Sequence, residues 1–207
     1  MPGAGGPPGA RAILVVSGDD WVLSDTAFSA LPADTSRFAV NLARLLTDGS
    51  PGRIHAYSDF FAYTGGQLRR TLEDEGHTFT VGVGLTFDLA TLTQYDALLF
   101  GLPLPTPAQL DVLVQYLDGG GRVYLHAGNG IDQPNLVPDA WNPLLGRYGI
   151  ELRTGFNTLI GQIPVAGTHS LLDGVATLYM NAGHPIAGCC VAATAAGGVT
   201  VIAVVSQ

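Results

Sequence analysis

Residues 95–130 read YDALLFGLPLPTPAQLDVLVQYLDGGGRVYLHAGNG. Tyr95 to Leu102 is almost wholly apolar, as suits a strand buried on both faces of a parallel sheet. Thr106-Pro107-Ala108-Gln109 supplies an N-cap, a proline at the first helical position and a glutamine at the third, the chemistry of a helix start. Leu110, Leu113, Val114 and Leu117 then recur on one helical face, Gly119 to Gly121 stop the helix, and Val123 to Leu125 form a second short buried strand. Strand, crossover helix and strand in so few residues is a βαβ unit, and it sets the fold class.

The same alternation runs back to the start. Ala12 to Val16 is a β-branched apolar run ending in the polar loop Ser17-Gly18-Asp19-Asp20. Asp34 or Thr35 caps a helix that turns Phe38, Leu42, Leu45 and Leu46 inward, and Gly49 to Gly52 ends it. Arg53 to Tyr57 is a strand closed by Ser58-Asp59. Thr64-Gly65-Gly66-Gln67 fits a capping box for a helix carrying Leu68 and Leu72, Gly76 follows its end, and His77 to Val81 alternate as a more exposed strand. Past residue 126 the periodicity weakens: a short helix over Trp141 to Tyr148, short strands at Glu151 to Arg153 and 158–165, and a terminal strand over Gly198 to Val205. The expectation is a doubly wound α/β domain over residues 12–207, with a mainly parallel sheet in a flavodoxin-like, three-layer arrangement and a flexible tail at 1–11.

Composition narrows the function. The formal charge is −8 and the nine basic residues are all arginines scattered from Arg11 to Arg153, so no basic stripe exists for nucleic acid or anionic membrane. No apolar run reaches the length of a membrane span. The first residues lack a signal-peptide core, which places the protein in the cytoplasm if Met1 is the natural start. Cys189 and Cys190 are adjacent; neighbouring cysteines rarely bridge, so both are expected as buried core residues without a disulfide. Neither the VGVG at 81–84 nor the GGG at 119–121 matches a dinucleotide fingerprint, and no cofactor is specified.

The stretch at 95–130, followed by HSLLDGVATLYMNAGHPI at 169–186, resembles the class I glutamine amidotransferase-like superfamily, nearest its trehalose-utilisation-like, non-amidotransferase branch. The resemblance implies a nucleophilic cysteine at the crest after the fifth strand, activated by a late histidine and glutamate. Here that crest reads Leu125-His126-Ala127-Gly128, and the late segment offers His169 or His184 with no His-x-Glu pair. An acyl-imidazole is too labile to make His126 a good nucleophile, so glutaminase activity is not expected.

Ligands of open α/β sheets sit beyond the carboxyl ends of the strands. Those ends present Ser17, Asp19 and Asp20, then Ser58 and Asp59, then the Gly101 to Pro105 loop, and finally His126 and Asn129. Asp19 or Asp59 as general base or metal ligand, with His126 as partner, would suit proton transfer; the alternative is that these aspartates cap helices or hold turns. Ser17, Asp20, Ser58, Asn129, His184 and Trp21 are the candidate ligand contacts, with Trp21 or Trp141 as a wall for a sugar ring. His55 and His77 are expected to be structural. Two functions stay open: a divergent amidotransferase-like domain binding a small polar molecule or a protein partner, or a hydrolase or isomerase of carbohydrate-like substrates. A homo-oligomer is compatible with either.

Overall fold

The computed structural model describes residues 11–128 and 133–207. Its centre is a nine-stranded sheet. Five strands run parallel: β1 (Ile13–Ser17), β2 (Arg53–Tyr57), β3 (Thr78–Val81), β4 (Ala97–Phe100) and β5 (Arg122–His126), in the order β3-β2-β4-β5-β1. Counted from β2, the first four follow the 2-1-3-4 order of flavodoxin-like sheets, with β1 beyond β5. Beyond β1 the sheet turns antiparallel through β11 (Thr200–Ser206), β9 (Ile186–Gly188) and β6 (Ile150–Leu152), while β10 (Val191–Thr194) also pairs with β11. A separate two-stranded ribbon joins β7 (Ile160–Pro164) to β8 (Thr177–Asn181).

Strands buried on both faces divide their side chains between two cores. On β1, Ile13 and Val15 join one and Leu14 and Val16 the other. The first core holds α1 (Asp25–Ala30), α2 (Pro32–Leu46), the short α3 (Phe61–Thr64) and α4 (Gly66–Asp74), with Phe38, Leu42, Tyr63 and Leu68 buried. The second holds α5 (Leu89–Leu92), α6 (Pro107–Asp118) and α7 (Leu136–Leu145), with Leu92, Leu113 and Trp141 buried. Connections running toward β3 use one face and those returning use the other, as a single crossover hand requires. The expected three-layer α/β architecture is thus the observed one.

Several local expectations are corrected. Thr106 and Gln109 do form the capping box of α6. Thr64 does not cap α4: it ends α3, and the Asp25 carboxylate takes the Gly66 and Gln67 amides instead, at 3.2 and 3.0 Å. Gly65 lets Asp25 come that close, since a Cβ there would overlap the carboxylate. Helix α2 starts at Pro32 without a side-chain cap, because Asp34 accepts from Ala176 and Thr177 and the Thr35 hydroxyl donates to Ala27 O. The C-terminal helix begins at Leu136, ahead of the expected start at Trp141, and Pro138 and Pro143 are tolerated within it.

The cysteine expectation fails outright. Cys189 and Cys190 are exposed and joined to each other in the turn between β9 and β10, where Cys190 adopts a left-handed φ of 69°. The apolar run that suggested burial lies at the margin of the antiparallel half, where a turn brings the two sulfurs together. Among the described residues no helix is long and apolar enough to cross a membrane.

Candidate functional site

The tips of β1 and β5 are bound to one another. Ser17 and His126 are register partners, and the Ala127 amide donates to Ser17 O at 2.8 Å. The chain then turns sharply in both loops, so the residues after β1 face those after β5. Ser17 is wholly buried; its hydroxyl donates to Asp19 O and accepts the Asp19 amide, which fixes the turn.

The two aspartates that follow have different surroundings. Both Asp19 carboxylate oxygens are taken by backbone amides, Oδ1 by Trp21 N and Oδ2 by Asn181 N, each at 2.8 Å. Burial nevertheless outweighs these bonds and raises its pKa to about 6. Asp20 is 3 % exposed, and its Oδ1 has no hydrogen-bond partner among the described residues. Burial, with the neighbouring Asp19 charge adding to it, pushes its pKa up to about 7.

His126 is the last residue of β5 and is 4 % exposed. Neither ring nitrogen has a hydrogen-bond partner among the described residues, and burial lowers its pKa to about 3, so the ring is neutral. The ring lies against Tyr63, with centroids 4.7 Å apart, and over Gly101, where a Cβ would overlap the imidazole. Tyr63 is itself held by its hydroxyl, which donates to Phe100 O at 3.0 Å. Gly128 plays for Asp20 the part that Gly101 plays for His126: its Cα faces the carboxyl so closely that a Cβ would overlap it.

Asp20 and His126 line one cavity of about 10 Å³ together with Gly101, Leu102, Leu104, Gly128 and Val137. That volume is at the lower limit for a single water. Buried polar atoms without partners are rare enough in folded proteins to need a cause, and here three of them belong to the two titratable residues of one cavity. No family model and no curated protein matches this chain. The functional reading therefore stands on this geometry.

The remaining candidates distribute as follows. Asp59 is exposed and does not line the cavity, so the aspartate brought beside His126 is Asp20, with Asp19 behind it as a backbone clamp. Ser58 is buried, donating to Leu102 O at 2.6 Å and accepting from Phe60 N at 3.0 Å; it ties the β2 and β4 tips together where the winding direction reverses. Trp21 is half-buried beside the Phe61 and Tyr179 rings, outside the cavity, and Trp141 is buried in the second core. His184 is buried with Nδ1 on Arg153 O at 3.0 Å, and burial lowers its pKa. Its amide donates to Gly18 O at 2.6 Å, which brings the late segment to the β1 tip without placing the ring in the cavity. Asn129 lies outside the described residues.

His55 and His77 are structural, as expected: the first bridges Thr80 Oγ1 and Gly82 O, and the second accepts the Gly52 amide. His169 caps a short 3₁₀ turn by accepting the Leu171 amide. Among the described residues no three His, Cys, Asp or Glu side chains group to hold a metal ion. The loop from Gly101 to Pro105, expected at the mouth, supplies Gly101, Leu102 and Leu104 to the cavity. Sequence reasoning missed Tyr63 and Val137, which lie on two separate helices where nothing in the local pattern marks them.

Proposed function

We propose that the chain is a catalytically divergent amidotransferase-like domain without glutaminase activity, which binds a small polar ligand where the tips of β1 and β5 meet. One observation carries the reading: the unpartnered Asp20 Oδ1, His126 Nδ1 and His126 Nε2, buried at a shared cavity, offer donor and acceptor capacity that nothing else among the described residues uses. A buried cavity favours a small molecule over a protein partner. Any ligand larger than water must displace Leu102 or Leu104, both only half-buried.

Absence of glutaminase activity is supported by the crest itself. A nucleophile elbow holds its residue in a strained turn with the reactive atom exposed. His126 ends a regular strand, lies buried, and is not among the residues with left-handed backbone. The test is calorimetric titration of small polyols, amides and glutamine into the wild type, His126→Ala and Asp20→Asn, with ammonia release measured in parallel. Binding of one class by the wild type, lost in both variants and without ammonia release, is the expected outcome. Binding unaffected by both substitutions, or ammonia release that depends on His126, overturns it.

A second reading rests on the two protonation equilibria. A carboxyl titrating near pH 7 can pass a proton to and from a substrate near neutrality, and the neutral His126 ring at the same cavity can hold that substrate by a hydrogen bond. On this reading the protein is a hydrolase or isomerase of carbohydrate-like substrates. It requires turnover that rises or falls through about pH 7 and vanishes in Asp20→Asn; turnover retained in that variant removes it.

A further inference from the structure

The sulfur pair stands apart from the strand-tip cavity and is unused by either reading of it. Cys189 and Cys190 are the chain's two cysteines, both exposed. Their bond closes a ring across one peptide in the β9–β10 turn, so opening it frees no long loop. Backbone bonds hold the turn on both sides without using sulfur: the Cys189 amide donates to Gly149 O at 3.0 Å, and the Val204 amide donates to Cys190 O at 2.8 Å. Gly188, at a φ of 105°, packs on the Gly149 carbonyl so closely that a Cβ would overlap it, which fixes the approach of the turn to the start of β6. The Tyr148 carbonyl lies 3.3 Å from Cys189 Sγ, an acceptor already in place for an S–H at that atom.

We propose that Cys189 and Cys190 form a reversible exchange site for low-molecular-weight thiols, opened and closed on the folded chain. A small thiolate attacks one of the two sulfurs; a mixed disulfide forms as the Cys189–Cys190 bond breaks, and its electron pair leaves on the other cysteine, which takes up a proton. A second small thiolate then attacks the sulfur of the first, forming the small-molecule disulfide and releasing the second cysteine as a thiolate, which is protonated. Two small thiols are oxidised, and one protein disulfide is reduced to two thiols. The reverse needs only a small-molecule disulfide. Exposure gives the attacking thiolate access, and the sulfur-independent anchors keep the turn in place in both states.

The experiment is treatment of the native chain with reduced and then oxidised glutathione, reading free thiols with a chromogenic disulfide reagent, the intact mass, and the fold by amide NMR. Both thiols are expected to appear together under reducing conditions while the amide spectrum changes only around the β9–β10 turn. Both should vanish together on oxidation, leaving chains that are neither cross-linked nor carrying glutathione. Phenylarsine oxide, which needs two neighbouring thiols, is expected to bind the reduced chain one to one. Cys190→Ser and Cys189→Ser should each lose that binding and retain a glutathione adduct, having no second thiol to expel it. Thiols that become reactive only on unfolding overturn the proposal, as does oxidation that stops at glutathione adducts or cross-linked dimers in the wild type.

Discussion

Replacing Asp20 by asparagine removes the one carboxyl that lines the cavity among the described residues, and its effect on stability should depend on pH in a defined way. The Asp20 pKa is pushed from 3.8 to about 7, chiefly by burial. Between those two values the folded chain holds a proton that the unfolded chain has released, so stability falls as pH rises through the window and levels off above it. Three units at about 1.4 kcal/mol each make roughly 4 kcal/mol, and no discount for solvent applies to a side chain this buried. Asparagine cannot ionise and escapes that loss. The difference in unfolding free energy between Asp20→Asn and wild type, measured by urea denaturation, should therefore grow by about 1.4 kcal/mol per pH unit from about pH 5 to about pH 7 and stay constant above. The difference is the quantity to measure, because His126 works in the opposite sense. Its pKa is lowered from 6.5 to about 3, so its contribution is present above 6.5 and is lost as pH falls toward 3, which masks the Asp20 slope in the wild type. A difference that stays level from about pH 5 to about pH 8 would mean that Asp20 is not a buried carboxyl protonated near neutrality, and the proton-transfer reading would go with it.

Other substitutions test the supports of the site. Asp19→Ala strips the acceptor from the Trp21 and Asn181 amides and should cost about 2–4 kcal/mol in chemical denaturation; a loss within error would deny Asp19 its clamping role. Gly128→Ala drives a methyl into the Asp20 carboxyl and should destabilise by about 1–3 kcal/mol, much of it recovered in the double variant with Asp20→Ala, and strict additivity of the two would show that they do not touch. Thr106→Ala removes the α6 cap, whose side chain does not line the cavity, and should lower stability by about 1 kcal/mol in chemical denaturation.

The parallel half of the sheet was readable because strands covered on both faces show as unbroken apolar runs, as at Ile13–Ser17 and Ala97–Phe100, and because Thr106, Pro107 and Gln109 signal a helix start through local hydrogen bonds alone. Past β5 the strands near Glu151 to Arg153, 158–165 and Gly198 to Val205 were expected and are β6, β7 and β11, but β8, β9, β10 and the antiparallel pairing were not legible. Strands such as Ile186–Gly188 are too short to show a period, and the pairing of β11 between β1 and β9 depends on contacts far apart in sequence. Caps supplied from a distance misled for the same reason: Asp25 serves α4 from another segment, which left Thr64 looking like the cap. At the site, topology placed His126 and the Asp19-Asp20 pair together, since both lie at the tips of adjacent parallel strands. It gave no means of ranking Asp19, Asp20 and Asp59, because the capture of Asp19 by Asn181 depends on the late ribbon and the exposure of Asp59 shows only in the folded chain.

The bond from Asn181 to Asp19 also has a mechanical side. The excursion that carries the β7–β8 ribbon leaves the sheet after β6 and returns at β9, and its final residues press the backbone of Gly183 and His184 onto Gly18. A single carboxylate thus grips an amide at the foot of the ribbon and another in the loop beneath it. The ribbon cannot lift from the strand tips as a free flap: it moves only when that latch lets go. In deuterium exchange, the Trp21 and Asn181 amides should accordingly open in one concerted event and respond together to pH through about 6, where Asp19 takes up its proton.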